Sequence, residues 1–126
     1  MITVLLVDDQ PAIRRGLRMR LALEPDLLVV GEAGDGKAAL ALAYTLRPMV
    51  ILMDIAMPGM DGLAATSALR DLGSRCAVVI LSLHDDMPNR LAAAAAGAAA
   101  FVAKQGDVQS LLTTIRAAGA PPPSSS

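Results

Sequence analysis

Apolar residues along the chain fall into five short runs separated by polar and small residues. The runs cover residues 2–7, 27–33, 50–53, 77–81 and 99–103. Each is nearly continuous rather than alternating, which is typical of strands covered on both faces in a parallel sheet. Segments of helical length lie between them, at residues 11–23, 36–46, 63–72, 88–96 and 108–118. The alternation predicts an α/β fold with a doubly wound, five-stranded parallel sheet of (βα)5 topology.

Residues that start and stop helices fall at the boundaries of these segments. Pro11 suits a first helical turn, Asp35 and Asp107 can cap helix N-termini, and Gly73 and Gly97 fall where helices should end. In the first predicted helix, one side carries the apolar residues Ile13, Leu17, Met19, Leu21 and Leu23, and the other carries Arg14, Arg15 and Arg18. We interpret the three arginines as a solvated face.

The composition narrows the functional classes. Apolar residues make up 54% of the 126 residues, but there is no Trp and only one Tyr and one Phe, so the core must be aliphatic. A net charge of −1 without a basic stripe argues against direct nucleic-acid binding. The longest apolar run, residues 91–103, is shorter than the ~20 residues of a membrane span. The N-terminus lacks a basic region and meets two acids early, so we expect a cytoplasmic protein.

The last eight residues differ in composition from the rest of the chain. Residues 119–126 read GAPPPSSS, a sequence typical of an extended linker or a disordered end. We therefore predict one domain at residues 1–118, followed by a Pro/Ser-rich linker or tail at residues 119–126.

Chemically informative residues lie where the predicted strands end. Asp8 and Asp9 follow the first strand, Asp54 the third, Ser82 the fourth and Lys104 the fifth. In an open parallel sheet these carboxyl ends share one edge, and ligands bind where the strand order reverses. Any one of these residues could be a cap or a solvated side chain, but together they predict a common site.

The residue types at this edge suit phosphoryl chemistry. Three carboxylates close together repel one another and favour a hard divalent cation, and Mg2+ suits a few carboxylates supplemented by water and phosphate. Lys104 and the hydroxyl of Ser82 can each hold a phosphoryl oxygen. A carboxylate such as Asp54 can then act as a nucleophile toward phosphorus and form an aspartyl phosphate.

These residues lie in segments that resemble the receiver domains of bacterial two-component response regulators over about residues 2–118. The matching segments are VLLVDDQPAIRRGL, VILMDIAMPGMDG, VVILSLHDD and GAAAFVAK. The resemblance implies a flavodoxin-like fold in which a sensor histidine kinase phosphorylates Asp54. It also implies that Asp9, Asp54 and the backbone carbonyl of Ala56 bind Mg2+ directly, while Asp8 acts largely through water.

The resemblance further implies a conformational switch. Ser82 and Lys104 would contact the phosphoryl group, and Phe101 occupies the position of an aromatic ring that turns inward on activation. Such a domain acts on no separate substrate and only hydrolyses its own phosphate slowly. The details are most like the subfamily with a LuxR-type helix-turn-helix, so a homodimer is possible, and DNA would be bound only through an output domain that this sequence does not contain.

Three alternatives remain open. GEAGDGKA at residues 31–38 satisfies the pattern of a phosphate-binding loop, but Ala38 stands where Ser or Thr must hold magnesium. A phosphatase of the haloacid dehalogenase type needs a second acid two residues after its nucleophile, where Ala56 stands. A degenerate receiver acting only as an interaction module would leave Asp8, Asp9, Asp54 and Lys104 unexplained.

Overall fold

The computed structural model describes residues 1–120, in which five strands alternate with five helices. The strands are β1 (Ile2–Val7), β2 (Leu27–Ala33), β3 (Val50–Asp54), β4 (Ala77–Ser82) and β5 (Ala100–Ala103). The helices are α1 (Pro11–Leu21), α2 (Gly36–Leu46), α3 (Gly62–Asp71), α4 (Met87–Ala96) and α5 (Val108–Gly119). The predicted order of elements is therefore confirmed.

All five strands are parallel and lie in one sheet, in the order β2-β1-β3-β4-β5. The chain first builds outward from β1 to β2 and then returns to the other side of β1 for β3. Strand order thus reverses between β1 and β3, which is where a doubly wound sheet opens a crevice at its carboxyl edge. The predicted doubly wound fold class is confirmed.

Helices cover both faces of the sheet, as the continuous apolar runs predicted. On one face, Leu5, Ile51 and Ile80 belong to a core cluster that also includes residues of α2, α3 and α4. On the other face, Leu6 and Val79 belong to a cluster completed by α1 and α5. All five residues of β3 are buried, since this strand lies at the centre of the sheet.

Local signals fix most helix ends where the sequence placed them. Asp35 accepts a hydrogen bond from the amide of Ala38 at 2.7 Å, and Asp107 caps α5 by accepting one from the amide of Gln109 at 3.0 Å. Gly97 follows α4 with a φ of 103°, a left-handed conformation that glycine adopts without a steric penalty. Two caps not foreseen, Asp61 and Asp86, begin α3 and α4.

The first helix differs from its predicted form. It ends at Leu21 rather than at residue 23, and Leu23 is 72% exposed. Met19 is also 65% exposed, so the grouping of Met19 and Leu23 with the buried residues is wrong. The interpretation of Arg14 as solvated is wrong too, because its side chain is only 20% exposed and is bonded to neighbouring elements.

The described chain ends one residue after α5, which continues to Gly119. Of the predicted linker or tail, residues 121–126 lie outside the described residues. Among residues 1–120, none of the helices has the length and apolar character needed to cross a membrane.

Candidate functional site

Sheet pairing brings the acids of two distant segments together. Asp54 is the last residue of β3, and Asp8 and Asp9 directly follow β1. Val7 is paired with Met53, so the chain positions after these two residues lie side by side at the carboxyl edge. Asp8 is 1% exposed and Asp54 is 4% exposed, whereas Asp9 is open to solvent. The two buried carboxylates form the floor of the site, and Asp9 forms its rim.

The three carboxylates are close enough to share a cation. One oxygen from each of Asp8, Asp9 and Asp54 lies within 4.8 Å of the others. A set of carboxylate oxygens with one exposed member fits Mg2+, which prefers hard oxygen ligands and retains several waters. The predicted acid cluster is therefore present, and its donors fit the predicted metal.

Lys104 bridges the two buried acids. Its Nζ lies 3.1 Å from Oδ2 of Asp8 and 3.1 Å from Oδ1 of Asp54. Its amide donates to the carbonyl of Ser82 at 2.8 Å, which ties the backbone after β5 to the end of β4. The ammonium group offsets the charge of two carboxylates that burial would otherwise penalise.

Burial and charge shift the protonation equilibria of this cluster. Desolvation raises the pKa of Asp54, and the charge of Asp8 adds to that effect, while the hydrogen bond from Lys104 opposes it. For Lys104, burial alone would lower the pKa, but the hydrogen bonds to Asp54 and Asp8 outweigh it and the pKa is raised. Lys104 is therefore charged, and it lies beside the Asp54 carboxylate, whose charged form is destabilised by burial.

The loop after β3 approaches Asp54 closely. The amide of Ala56 donates to Oδ1 of Asp54 at 3.3 Å, and the amide of Gly62 donates to the carbonyl of Ile55 at 3.1 Å. A Cβ on Gly62 would lie 2.1 Å from the backbone carbonyl oxygen of Asp54. Gly62 is thus required by close backbone contact. The role of the Ala56 carbonyl as a metal ligand stays a prediction.

Ser82 and Phe101, the predicted switch residues, both contact the segment around α4. The buried hydroxyl of Ser82 donates to the carbonyl of His84 at 3.2 Å and accepts from the His84 amide at 3.0 Å. Phe101 packs partly buried against the core, with the guanidinium of Arg90 4.9 Å from its ring centroid. The contact of Ser82 with a phosphoryl group and the inward turn of Phe101 stay predictions.

Arg14 is a residue of this region that the sequence reasoning missed. Its Nη1 donates to the backbone carbonyl of Asp8 at 2.5 Å, and its Nε donates to Oε1 of Glu32 at 3.2 Å. The available signal was the position of Arg14 on α1, about one helical turn after the acids. We had assigned Arg14 to the exposed face of that helix.

The phosphate-binding-loop alternative does not match the local structure. Gly31, Glu32 and Ala33 belong to β2 and are paired with β1, so they are not in a loop. The amide of Ala38, which such a loop would direct at phosphate, is bonded to the side chain of Asp35. The geometry instead defines a doubly wound α/β domain with an acid cluster and a lysine at its switch point.

Comparison with known proteins places this class of domain in a family. The family model described as response regulator receiver domain matches residues 4–116. The nitrate/nitrite response regulator NarP of Escherichia coli is 44% identical over 114 residues, which are 90% of this chain and 53% of that protein. The chain belongs to the receiver domain family of two-component response regulators. A phosphoacceptor function is consistent with membership of that family.

Solved structures agree in fold and subfamily. A LuxR-family two-component response regulator from Aurantimonas sp. is 32% identical, covers 94% of this chain and 85% of its own, and superimposes with a TM-score of 0.90. The signal receiver domain of a NarL regulator from Mycobacterium tuberculosis is 36% identical, with a TM-score of 0.84 and coverage of 91% and 96%. The predicted resemblance to LuxR-type regulators is confirmed. The chain spans about half the length of the curated relatives it matches.

Proposed function

We propose that Asp54 is the phosphoacceptor and takes its phosphoryl group from a phosphohistidine of a sensor histidine kinase. The observation that carries this proposal is the position of the Asp54 carboxylate. It lies buried at the switch point, 3.1 Å from Lys104 and in one cluster with Asp8 and Asp9. Phosphoryl transfer depends mainly on positioning and on neutralising charge, and both requirements are served here.

In the proposed reaction, a carboxylate oxygen of Asp54 attacks phosphorus in line. The new P–O bond forms as the P–N bond of phosphohistidine breaks, and its electron pair returns to the imidazole. Lys104 holds a phosphoryl oxygen through its charged Nζ. Asp9, Asp54 and the backbone carbonyl of Ala56 would hold Mg2+ directly, with Asp8 acting through water, and the ion would supply further charge neutralisation at the phosphoryl oxygens.

The same step would start a conformational switch. We infer that the hydroxyl of Ser82 leaves the His84 backbone and donates to the phosphoryl group, and that Phe101 then turns inward. This biases an existing equilibrium and alters the face formed by α4, β5 and α5. The domain acts on no separate substrate, and slow hydrolysis of its own phosphate resets it.

The proposed output lies beyond the receiver itself. By similarity to its LuxR-type relatives, the domain would control transcription in the cytoplasm, with DNA bound by an output domain and a homodimer as one form of the active state. We propose that the receiver covers residues 1–118 and extends by one residue to Gly119, where α5 ends. A net charge of −1 is consistent with a receiver that does not contact DNA itself.

Intact-mass spectrometry after incubation with acetyl phosphate and Mg2+ tests the assignment. The wild type should gain one acid-stable, base-labile phosphoryl group, and the gain should be lost without Mg2+ and in Asp54→Asn, which keeps the side-chain shape. Asp61→Asn is the matched control, because Asp61 is an exposed helix cap outside the acid cluster. A gain that persists in Asp54→Asn, or no gain in wild type, contradicts the proposal.

A further inference from the structure

Four hydrogen bonds hold Asp8 in place. Its amide donates to the carbonyl of Ala33 at 3.1 Å, and its Oδ1 accepts from the amide of Gln10 at 2.9 Å. Its Oδ2 accepts from Lys104, and its backbone carbonyl accepts from Arg14. Three of these contacts come from the sheet, the loop itself and the proposed phosphoryl site, but the contact from Arg14 has no role in the function proposed above.

The Arg14 guanidinium is fixed at two points. Its Nη1 reaches the Asp8 carbonyl and its Nε reaches Oε1 of Glu32, which lies near the carboxyl end of β2. The other oxygen of Glu32 accepts from Arg18 at 2.6 Å, so the carboxylate itself is oriented by a second cation. Arg14 and Glu32 are only 20% and 24% exposed, which limits the screening of their interaction.

This bridge has consequences for the loop that carries Asp8 and Asp9. Gln10 is the N-cap of α1 but makes no side-chain cap hydrogen bond, so no such bond from Gln10 fixes where the helix begins. Arg14, the fourth residue of the same helix, reaches back and ties the loop to both α1 and β2. A guanidinium can do this because its nitrogens present several donors in a rigid plane.

We propose that Arg14 is a positioning residue for the cation site. Together with Glu32, it holds the 8–10 loop so that Asp8 and Asp9 present their carboxylates to Mg2+. The inference rests on the proposed function, in which these acids bind the metal. Residues that orient metal ligands through a hydrogen bond commonly change metal affinity when they are replaced, although they never touch the ion.

Calorimetric titration of metal-free protein with Mg2+ tests the inference. Arg14→Met should raise the Kd for Mg2+ by roughly tenfold, the lower end of the range for residues that support metal ligands. Arg14→Lys should give a smaller rise, because one ammonium cannot reproduce two donors at fixed spacing. Glu32→Gln keeps an oxygen for Nε of Arg14 but loses the charge, and its effect should fall between wild type and Arg14→Met.

Two controls separate positioning from a general loss of charge or stability. Arg15 is exposed and makes none of the described hydrogen bonds or ion pairs, so Arg15→Met removes the same charge from the same helix. Arg20→Met removes an ion pair of the same helix that involves neither Glu32 nor Asp8. Both variants should bind Mg2+ within twofold of wild type, a range of roughly 0.4 kcal/mol.

Hydrogen exchange of the Gln10 amide, followed by NMR without metal, gives a second readout. This amide donates to Oδ1 of Asp8, so loosening of the loop should speed its exchange severalfold in Arg14→Met, while amides in β3 stay protected. A stability defect alone would speed both. If wild type failed to bind Mg2+, the proposed function would be refuted, and the Gln10 exchange would still decide the role of Arg14.

The inference is overturned if folded Arg14→Met keeps the wild-type Kd for Mg2+ and the wild-type Gln10 exchange. Should Arg14→Met fail to fold, Arg14→Lys and Glu32→Gln decide in its place, and wild-type values in both of those folded variants overturn it equally. An equal rise of the Kd in Arg15→Met would also overturn it, since the effect would then be one of net charge.

Discussion

The substitution Gly62→Ala tests whether close backbone contact at the acid cluster restricts the sequence there. Gly62 is the first residue of α3, where alanine would ordinarily favour the helix. In this fold, however, the added Cβ would meet the carbonyl oxygen of Asp54 at 2.1 Å, its carbonyl carbon at 2.9 Å and the Cα of Ile55 at 3.0 Å. All three are backbone atoms, so no side chain can rotate to relieve the contact.

The expected cost follows from that geometry. Ordinary Cβ contacts begin at about 3.4 Å, so either α3 or the end of β3 must move. Overpacking of this kind costs roughly 1–3 kcal/mol. The movement also falls on the backbone of Asp54, so Gly62→Ala should slow phosphorylation by acetyl phosphate as well as lower stability.

Gly16→Ala provides a matched control within the same protein. Gly16 lies in the interior of α1, and an added Cβ would meet no atom within 4 Å apart from the adjacent backbone of its own helix. The same chemical change should therefore stabilise the protein by roughly 0.5–1 kcal/mol, through helix propensity and reduced freedom of the unfolded chain.

Urea unfolding followed by circular dichroism measures both variants against wild type. We expect opposite signs, with the midpoint lowered in Gly62→Ala and raised in Gly16→Ala at unchanged m-value. The reasoning fails if Gly62→Ala unfolds at the wild-type midpoint or above, since the contact would then be relieved at no cost.

Two further predictions concern regions away from the cluster. Arg116 in α5 bonds Asp26 at 2.8 and 3.0 Å and Glu24 at 2.7 Å, and these hydrogen bonds lower the pKa of both carboxyls. A lowered folded-state pKa gives stability that is present above the unfolded values of 4.5 and 3.8 and is lost as pH falls below them. Arg116→Met should therefore be less stable than wild type at pH 7, with a smaller difference near pH 3; equal differences in urea unfolding at the two pH values would contradict this. Asp35→Ala removes the cap of α2 and should cost about 1 kcal/mol, whereas an unchanged thermal midpoint would show that the bond to Ala38 contributes nothing.

The sequence alone determined the elements and the edge at which the chemistry lies. Continuous apolar runs predicted buried parallel strands, and Asp35, Asp107 and Gly97 marked helix ends, because such signals act through a few neighbouring residues. Placing Asp8, Asp9 and Asp54 at strand ends followed from the same local pattern. The resemblance to receiver domains added the family, which comparison with known proteins confirmed.

Only the tertiary structure decided which groups touch. Lys104 bonds Asp8 across 96 residues of sequence, because the order β2-β1-β3-β4-β5 puts β1 beside β3 and brings the end of β5 within reach. Helical periodicity could not reveal that Arg14 turns back to the Asp8 carbonyl while Met19 stays in solvent, since each depends on what the sheet places opposite the helix. Local sequence fixes where an element begins and ends, but contacts between distant elements arise only when the chain packs.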